Sequence, residues 1–196
     1  MTQNNVGIYA SQISGHLYDG PFGAYDALAT VTLSATTSSI TFSGIPSGYK
    51  HLQLRNLTRD NRGSEFLYNT YLMQFNGDTS SSYSTHALYG QSVSGSSPFV
   101  DQFGSSSQTR IITYATPVNI ADANVFGSQI IDILDYANTN KNKTTRLLGG
   151  VDENGSGLIG FLSGAWYKTD AITSITLTGN GASFVANSQF ALYGVK

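Results

Sequence analysis

Hydrophobic and hydroxyl-bearing residues alternate in short runs along most of this chain. In the first run, threonines separate Ala29, Val31 and Leu33. A period of two is typical of a strand that has one face in a core and one face in water. Similar runs predict further strands at residues 38–43, 50–58, 71–75, 86–89, 110–114, 125–134, 144–150, 158–167, 171–178 and 189–195.

Three of these runs carry local signals. Leu57 is out of phase with Leu52 and Leu54, which predicts a bulge or the end of the strand there. Apolar residues dominate positions 130–134, and such a run predicts a strand that is buried on both faces. The strongest short hairpin signal is the Asn-Gly pair at positions 76 and 77.

The strand pattern predicts an all-β fold. About ten short strands are separated by turns rich in Gly, Asn and Ser, and no segment has a helical period, which favours an antiparallel β-sandwich or barrel. The strand count suits a jelly roll, in which two packed sheets protect the edges. An up-and-down or immunoglobulin-like sandwich is the alternative, although the chain has no cysteine and so lacks the Cys…Trp…Cys signature.

Two segments depart from the alternation. Repeated serines at residues 79–108 predict long surface loops around the short strand at 86–89, and such loops tend to be functional. Residues 1–26 form what we call the N-terminal arm, and we expect it to be extended ahead of a single sandwich domain at residues 27–196. The arm either packs across its own domain or docks on a partner. Its docking candidates are Val6, Ile8, Tyr9, Ile13, Leu17 and Tyr18.

Composition removes several classes of protein from consideration. The chain has 196 residues, no cysteine, only 11% charged residues and a net charge of −2. Disulfides and thiolate metal sites are therefore excluded, and a general nucleic-acid binder is disfavoured because no basic stripe is present. The N-terminus has no signal-peptide pattern, and no window approaches a membrane span. We expect synthesis in a cytosol without export by that route.

Two glycine-rich motifs have simple structural interpretations. Residues 155–160 fit the dinucleotide pattern G-x-G-x-x-G, but the sequence that follows predicts a strand instead of the required helix. Residues 152–157 match half of an EF-hand loop and lack its distal glutamate. A glycine-rich hairpin turn is favoured at both places, with a calcium site in a sandwich loop as the alternative for the second.

Titratable groups are too dispersed to predict a catalytic centre. His16, His51 and His86 lie in separate segments, which gives no zinc-ligand spacing, and no serine lies in a nucleophile elbow. A hydrolase is the least favoured hypothesis, with His86, Asp152 and Glu153 as its test residues. A glycosidase-type carboxylate pair could be drawn from Asp132, Asp135, Asp152 and Glu153, although capping or pairing with neighbours is the simpler interpretation for Asp132 and Asp135.

Basic and aromatic residues provide the remaining candidates. Two small basic clusters are interpreted as exposed salt-bridge partners, with a binding site for an acidic partner as the alternative; they are Arg55, Arg59 and Arg62, and Lys141, Lys143 and Arg146. Candidates for contact with a glycan or for an outer surface are Tyr83, Tyr89, Phe99, Trp166 and Tyr167. Trp166 also has a competing interpretation as a core residue, because its strand is crowded with apolar side chains.

Six stretches of the sequence carry a family resemblance. They are IYASQISGHL (8–17), GAYDALATVT (23–32), IPSGYKHLQLR (45–55), FNGD (75–78), IDILDYANTNKNK (131–143) and FALYGVK (190–196). Together they resemble a family of virion structural proteins of tailed bacteriophages, especially marine phages and those infecting cyanobacteria. The resemblance covers most of the chain and is weakest at residues 79–108. The family has no enzymatic assignment, so no functional residues carry over.

The resemblance implies a virion protein that is not an enzyme. We expect a decoration or cement protein that is made in the host cytoplasm and binds the major capsid protein through the N-terminal arm. The alternative is a head- or tail-fibre module that binds host surface glycan, or a tail component. A homo-oligomer is expected, with a trimer favoured because it fits local three-fold positions. We expect no catalytic residue, cofactor, metal, nucleic acid or membrane insertion.

Overall fold

The computed structural model describes residues 23–63, 67–92 and 97–196. Within these ranges every helix-or-strand element is a β-strand, and no helix there is long and apolar enough to span a membrane. Most of the N-terminal arm lies outside the described residues. The first strand begins at Tyr25, two residues before the domain boundary expected from the sequence.

The strands follow one another along the chain with short connections. In chain order they are β1 (Tyr25–Thr32), β2 (Ser39–Ser43), β3 (His51–Thr58), β4 (Tyr68–Asn69), β5 (Tyr71–Phe75), β6 (Tyr83–Ser92), β7 (Phe99–Gln108), β8 (Ile111–Ile112), β9 (Thr116–Pro117), β10 (Gly127–Leu134), β11 (Lys143–Glu153), β12 (Ser156–Trp166), β13 (Ser174–Gly179) and β14 (Gln189–Val195).

Two antiparallel sheets pack face to face, which confirms the predicted all-β sandwich. The larger sheet has eight strands in the order β1-β14-β3-β10-β11-β12-β6-β7, and the smaller has four in the order β2-β13-β5-β8. A two-stranded ladder joins β4 to β9. The jelly-roll arrangement stays a prediction. The expected count of about ten strands is too low, because the sequence did not predict the two-residue strands β4 and β9 or the ten-residue strand β7.

The core lies between the two sheets and contains the inward members of each alternating run. Leu54 and Ile131 from the larger sheet are in one buried cluster with Met73, Ile175 and Leu177 from the smaller sheet. Burying a side chain of this size contributes roughly 1.5–3 kcal/mol, so the period-two pattern supplies the main driving force for the fold. The alternate residues of the larger sheet point away from the smaller sheet and form an outer face whose side chains are not required for the core.

The prediction of long serine-rich loops at residues 79–108 is wrong for most of that segment. Two ten-residue strands, β6 and β7, form a hairpin there, with pairing from Tyr83 opposite Gln108 to Gln91 opposite Phe99. Strand β7 is the last strand of the sheet and is exposed along most of its length. An edge strand in water can carry many hydroxyl side chains, because its backbone ladder holds it in place.

Two further local predictions are corrected by the register. Strand β3 continues without a bulge to Thr58, and Leu57 is out of phase because it lies on the outer face of the sheet, where it is 42% exposed. The strand at residues 130–134 is not buried on both faces. Ile131 and Ile133 are buried, whereas Ile130 is 44% exposed. Both departures from the pattern place apolar side chains on the outer face.

The Asn-Gly signal marks a turn but not a hairpin. Asn76 and Gly77 have φ values of 52° and 66°, and the amide of Asp78 donates to the carbonyl of Phe75 at 2.9 Å. The flanking strands do not pair with each other, since β5 belongs to the smaller sheet and β6 to the larger. The side chain of Asn76 instead binds the segment before β13, accepting from the amide of Thr173 at 2.8 Å.

The glycine-rich segment between β11 and β12 is the predicted hairpin turn. Glu153 pairs with Ser156, and the two residues between them have positive φ, 50° at Asn154 and 112° at Gly155. The glycines at 157 and 160 lie in strand β12, as the interpretation of a turn followed by a strand requires. The hairpin extends the pairing to eleven residues on each strand, which makes β11 and β12 the longest strands described.

The close approach of two backbones at Gly127 provides a test of this packing. A Cβ at Gly127 would lie 1.9 Å from the carbonyl oxygen of Ala115, whereas a Cβ at Gly48 would meet nothing within 4 Å. We expect Gly127→Ala to lower the free energy of unfolding by about 3 kcal/mol, because the backbone must shift. Gly48→Ala should change it by less than about 1 kcal/mol. Urea unfolding measures both, and equal effects would contradict the described packing.

Candidate docking surface

The outer face of the eight-stranded sheet carries side chains that alternate with those of the core. Leu147 and Leu162 point inward and are buried, and their chain neighbours Leu148 and Phe161 point outward. The antiparallel register places these outward residues directly opposite one another on adjacent strands. The same strands that form the core therefore also determine which side chains meet on the outer face.

An apolar stripe crosses four neighbouring strands of this face. It consists of Ile130 on β10, Leu148 on β11, Phe161 on β12 and Leu88 on β6, each paired with the next in the ladder. Their exposed fractions are 44%, 45%, 57% and 51% respectively. With strands about 4.8 Å apart, the stripe is about 14 Å long. Four large hydrophobic side chains in a continuous row stand out from the isolated apolar residues of an ordinary surface.

A second row of apolar residues widens the stripe on one side. Leu57, Ile159 and Val100 lie two positions further along their strands and are 42%, 53% and 73% exposed. Gly150 and Gly90 flank Ile159 in this row and leave its side chain uncovered. We call these three residues the flanking row. Together with the apolar stripe they form one hydrophobic area on the face.

Two shallow hollows lie beside the stripe. One has a volume of about 600 Å³ and is lined by Leu88, Phe161, Leu148 and Ile130 together with the polar residues of the neighbouring row. The other has a volume of about 520 Å³ and is lined by Ile130, Leu148, Ile159 and Leu57. Ile130 and Leu148 border both hollows. These two side chains therefore form a low ridge between them.

Charges near the stripe are paired or covered by rings. Arg146 Nε donates to Asp132 Oδ2 at 2.8 Å, and Gln53 Nε2 donates to Asp132 Oδ1 at 2.8 Å. The guanidinium of Arg55 lies over the rings of Tyr25 and Tyr193, at 5.0 and 4.8 Å from their centroids. The face therefore presents an apolar centre and a border whose charges already have partners. This arrangement fits a surface for apolar packing better than one for steering a charged ligand.

The residues predicted for docking lie outside the described part of the chain. Val6, Ile8, Tyr9, Ile13, Leu17 and Tyr18 all belong to residues 1–22. Their role therefore stays a prediction. The apolar stripe was not a sequence prediction, and with its flanking row it contains seven of the eleven large hydrophobic side chains that are exposed among the described residues.

Two of the predicted glycan-contact residues are core residues instead. Tyr83 is 0% exposed and Trp166 is 2% exposed, and their rings stack with centroids 6.1 Å apart. The indole Nε1 of Trp166 donates to Asp78 Oδ2 at 2.7 Å, so its polar group already has a partner. Both rings fill the space between the sheets, which is the competing interpretation that the sequence offered for Trp166. They are not available for contact with a ligand in the folded chain.

The other three aromatic candidates are at least partly accessible but do not form one site. Phe99 is 47% exposed and contacts the half-buried ring of Tyr89, with centroids 6.3 Å apart. Tyr167 is 57% exposed and shares a hydrogen bond with Ser84 at 3.2 Å. Tyr167 lies next to the Tyr83 end of β6, whereas Phe99 pairs with Gln91. Eight residues of extended strand separate the two ends, a distance of about 26 Å.

The predicted catalytic and metal candidates are dispersed. His86 lies opposite Ser163 on β12, whereas Asp152 lies opposite Gly157, six residues further along that strand. His51 accepts a hydrogen bond at Nδ1 from the amide of Asp135 at 2.9 Å. Across residues 23–63, 67–92 and 97–196, no group of three or more His, Asp or Glu side chains is placed to hold a metal ion.

The basic clusters divide into structural and exposed members. Arg59 is 9% exposed and Lys143 is 0% exposed, so neither is the exposed salt-bridge partner that the sequence predicted. Both donate to backbone carbonyls: Arg59 to those of Asn119, Ala121, Asp122 and Val125, and Lys143 to those of Asn138, Lys141 and Thr169. Each cation replaces lost hydration with several carbonyl oxygens, and each thereby fixes a loop.

Of the remaining basic residues, Lys141 and Arg146 are the exposed salt-bridge partners that the sequence predicted. Arg55 and Arg62 instead donate to the side-chain amide oxygens of Gln53 and Asn69. Lys141 forms an ion pair with Asp135 at 2.7 Å, and Arg146 forms one with Asp132 at 2.8 Å. Asp132 and Asp135 therefore pair with neighbouring cations, which is the simpler interpretation given for them. Exposed pairs of this kind contribute at most about 1 kcal/mol each.

A sequence signal for the stripe exists in the apolar pairs that interrupt the alternation. Three of its four members follow or precede a second large apolar residue: Ile130-Ile131, Leu147-Leu148 and Phe161-Leu162. In a strand with one face in water, one member of such a pair must point outward. The pairs indicate exposed apolar residues, but only the strand order shows that those residues lie side by side.

The carboxyl of Asp78, which accepts a hydrogen bond from Trp166, makes the stability of the fold depend on pH. Burial raises the pKa of the Asp78 carboxyl, but hydrogen bonds from Ser80, Ser82 and Trp166 outweigh it and hold the pKa well below its ordinary value. A carboxyl whose pKa is lowered by folding stabilises the protein above its unfolded pKa. That contribution is lost as the pH falls from about 4 towards the folded pKa.

We therefore expect Asp78→Asn to lower the free energy of unfolding by about 1 kcal/mol at pH 7 and by progressively less below pH 4. The fluorescence of Trp166, the single tryptophan of the chain, reports the transition. Asp152→Asn, at an exposed carboxylate, is the matched control. A difference between wild type and Asp78→Asn that is independent of pH would contradict the described role of this carboxylate.

Neither a scan against protein-family models nor searches of the curated proteins and of the solved structures found a match to this chain. What the outer face binds must therefore follow from its own chemistry. Its centre is apolar, its charges are paired, and its side chains lie on rigid strands. These properties favour association with another protein surface.

Proposed function

We propose that this protein is a non-enzymatic structural component of a bacteriophage virion that decorates the capsid shell. The apolar stripe supports a role in assembly, because an exposed hydrophobic row on a sheet face is typical of an interaction surface. The resemblance to virion structural proteins of tailed phages supports the same role. The low content of titratable residues is consistent with binding and not with acid–base chemistry.

The positions of the hydrolase test residues favour binding over catalysis. General acid–base chemistry needs its groups within hydrogen-bond reach of one reacting atom. His86 on β6 and Asp152 on β11 lie on either side of β12 and six residues apart along it, which corresponds to about 20 Å. A reaction that used both residues has no place in this arrangement.

The N-terminal arm is the proposed link to the shell. Its six apolar candidates precede the first strand, and the buried residues of the described core begin at Leu33. The sandwich between Tyr25 and Lys196 therefore has its own core, and a segment ahead of it can serve a partner. A short apolar segment ahead of a folded domain can attach that domain to another protein.

Deletion of residues 1–18 tests the role of the arm. We expect the truncated chain to keep its fold, because every described strand is retained, and to lose co-sedimentation with purified shells of the encoding phage. The measurement is the fraction bound at a fixed protein concentration, with circular dichroism and thermal unfolding as checks of the fold. Glu substitution at Ile120, an exposed position in the connection between β9 and β10, is a control that should bind shells normally.

Two results would contradict this proposal. Normal decoration of shells by the truncated chain would show that the arm is not the docking element. Absence of the full chain from shells, together with its absence from purified particles by mass spectrometry, would remove the virion role itself. The two results separate a wrong docking element from a wrong function.

A host-surface adhesion module is the second candidate function. Phe99 exposes its ring, and Tyr89 beside it donates its hydroxyl to Asp101 Oδ2 at 3.1 Å. An exposed ring next to a carboxylate can stack on a sugar and accept from its hydroxyls. If this function is correct, a glycan array should show binding that Phe99→Ala and Asp101→Asn each reduce at least tenfold, while Tyr167→Ala does not. No binding by the assembled protein would remove the candidate.

A further inference from the structure

The apolar stripe and its flanking row are exposed in the single chain and need an occupant. Seven large hydrophobic side chains lie there on one sheet face, each at least 42% exposed. Contiguous apolar surfaces of this kind mark interaction sites. We propose that the occupant is the same stripe of a second copy of this chain, packed sheet against sheet across a two-fold axis. This inference goes beyond the proposed function and does not depend on a virion role.

The choice of a second copy rests on the apolar character of the stripe. An apolar surface is covered most favourably by another apolar surface. On the described residues, the other large exposed hydrophobics are Tyr25, Phe99, Ile120 and Tyr167. Phe99 lies in the edge strand, and Ile120 and Tyr167 lie outside the sheet ladder. The stripe is therefore the largest apolar counterpart that a second copy offers, and contact of like with like is the geometry of a two-fold axis.

The shape of the face is complementary to itself. Ile130 and Leu148 form the ridge that borders hollows of about 600 Å³ and about 520 Å³. In a two-fold arrangement, the ridge of each copy can enter a hollow of the other. The ridge lies on β10 and β11, the two central strands of the eight. The stripe runs from β10 through β11 and β12 to β6, so a two-fold axis between β11 and β12 would cover it symmetrically and place the ridge against the hollow at β12 and β6.

The area of the face is also sufficient. The eight strands span about 34 Å across the ladder, and eight residues of strand span about 26 Å, which gives a face of about 900 Å². A stable interface of standard size buries about 800 Å² on each partner. The sheet face is therefore large enough for a specific dimer, and the stripe covers the part of it from β10 to β6.

Electrostatics permit two copies of this face to meet. Asp132 is already paired with Arg146, and Arg55 is covered by the rings of Tyr25 and Tyr193. A two-fold axis brings like charges towards each other, and paired charges reduce the resulting repulsion. The two-fold dimer differs from the trimer that the phage resemblance favours, and a measurement of mass distinguishes them.

Substitutions in the stripe test the proposal on the full chain. We expect the 20.9 kDa chain to sediment as a dimer at micromolar concentration. Leu148→Glu and Phe161→Glu should each raise the dimer dissociation constant by about 100-fold or more, because each places a carboxylate in an apolar interface. Ile120→Glu, the same chemical change at another exposed aliphatic residue, should leave the constant within about threefold. Thermal unfolding confirms that each variant is folded.

Single cysteines test the two-fold geometry itself. The chain has no cysteine, so an introduced thiol reacts without competition. Leu148→Cys and Phe161→Cys, on the two strands that flank the proposed axis, should each give covalent dimers with a short bis-maleimide. Ile120→Cys is the control and should stay monomeric under the same conditions. These milder substitutions also provide a readout if a glutamate variant fails to fold.

Three results would overturn the proposal. The first is a monomeric full chain at all accessible concentrations, which would mean that another segment or protein covers the stripe. The second is a dimer that survives both glutamate substitutions. The third is a trimer whose cross-linking does not depend on the position of the cysteine. None of these results bears on shell binding, so failure here is distinct from failure of the proposed function.

Discussion

The antiparallel ladder through β10, β11, β12 and β6 is the constraint on which both faces of the large sheet depend. Each strand carries an inward apolar residue next to an outward one, and the register aligns both sets across the sheet. Ile131, Leu147 and Leu162 thereby enter the core, while their neighbours form the apolar stripe. A slip of one residue would exchange the two sets, so closure of the core also fixes the stripe.

Buried cations hold the connections at the ends of this ladder. Arg59 ties the segment from Asn119 to Val125, and Lys143 ties the turn before β11 to the end of β12, each through carbonyl oxygens. Because their hydrogen bonds are to backbone, these side chains fix the path of the chain and leave little charge on the surface. A rigid, pre-formed face loses little conformational entropy when it binds, which favours association through the stripe.

The alternation of residues was sufficient to predict the fold class, because it reports which side of a strand faces the core. It gave most strands and the hairpin turn at residues 154–155. The alternation failed where pairing between strands determines the local structure. The serine-rich β7 is a strand because it pairs with β6. The Asn76-Gly77 turn connects strands of different sheets and therefore does not form a hairpin. The stripe could not be predicted for the same reason, since its four residues become neighbours only through strand order. Arg59 and Lys143 were expected at the surface. Their burial could not be predicted, because the carbonyl oxygens that they bind belong to connecting segments whose path is set by the fold.

The central claim is that this protein acts through association at the outer face of its large sheet. An experimentally determined structure of the full chain, in the assembly that it forms in solution, tests that claim most directly. The account predicts that Ile130, Leu148, Phe161 and Leu88 of one copy lie against the same residues of a second copy across a two-fold axis. A structure in which this stripe faces solvent, or is covered by residues 1–22, would contradict it.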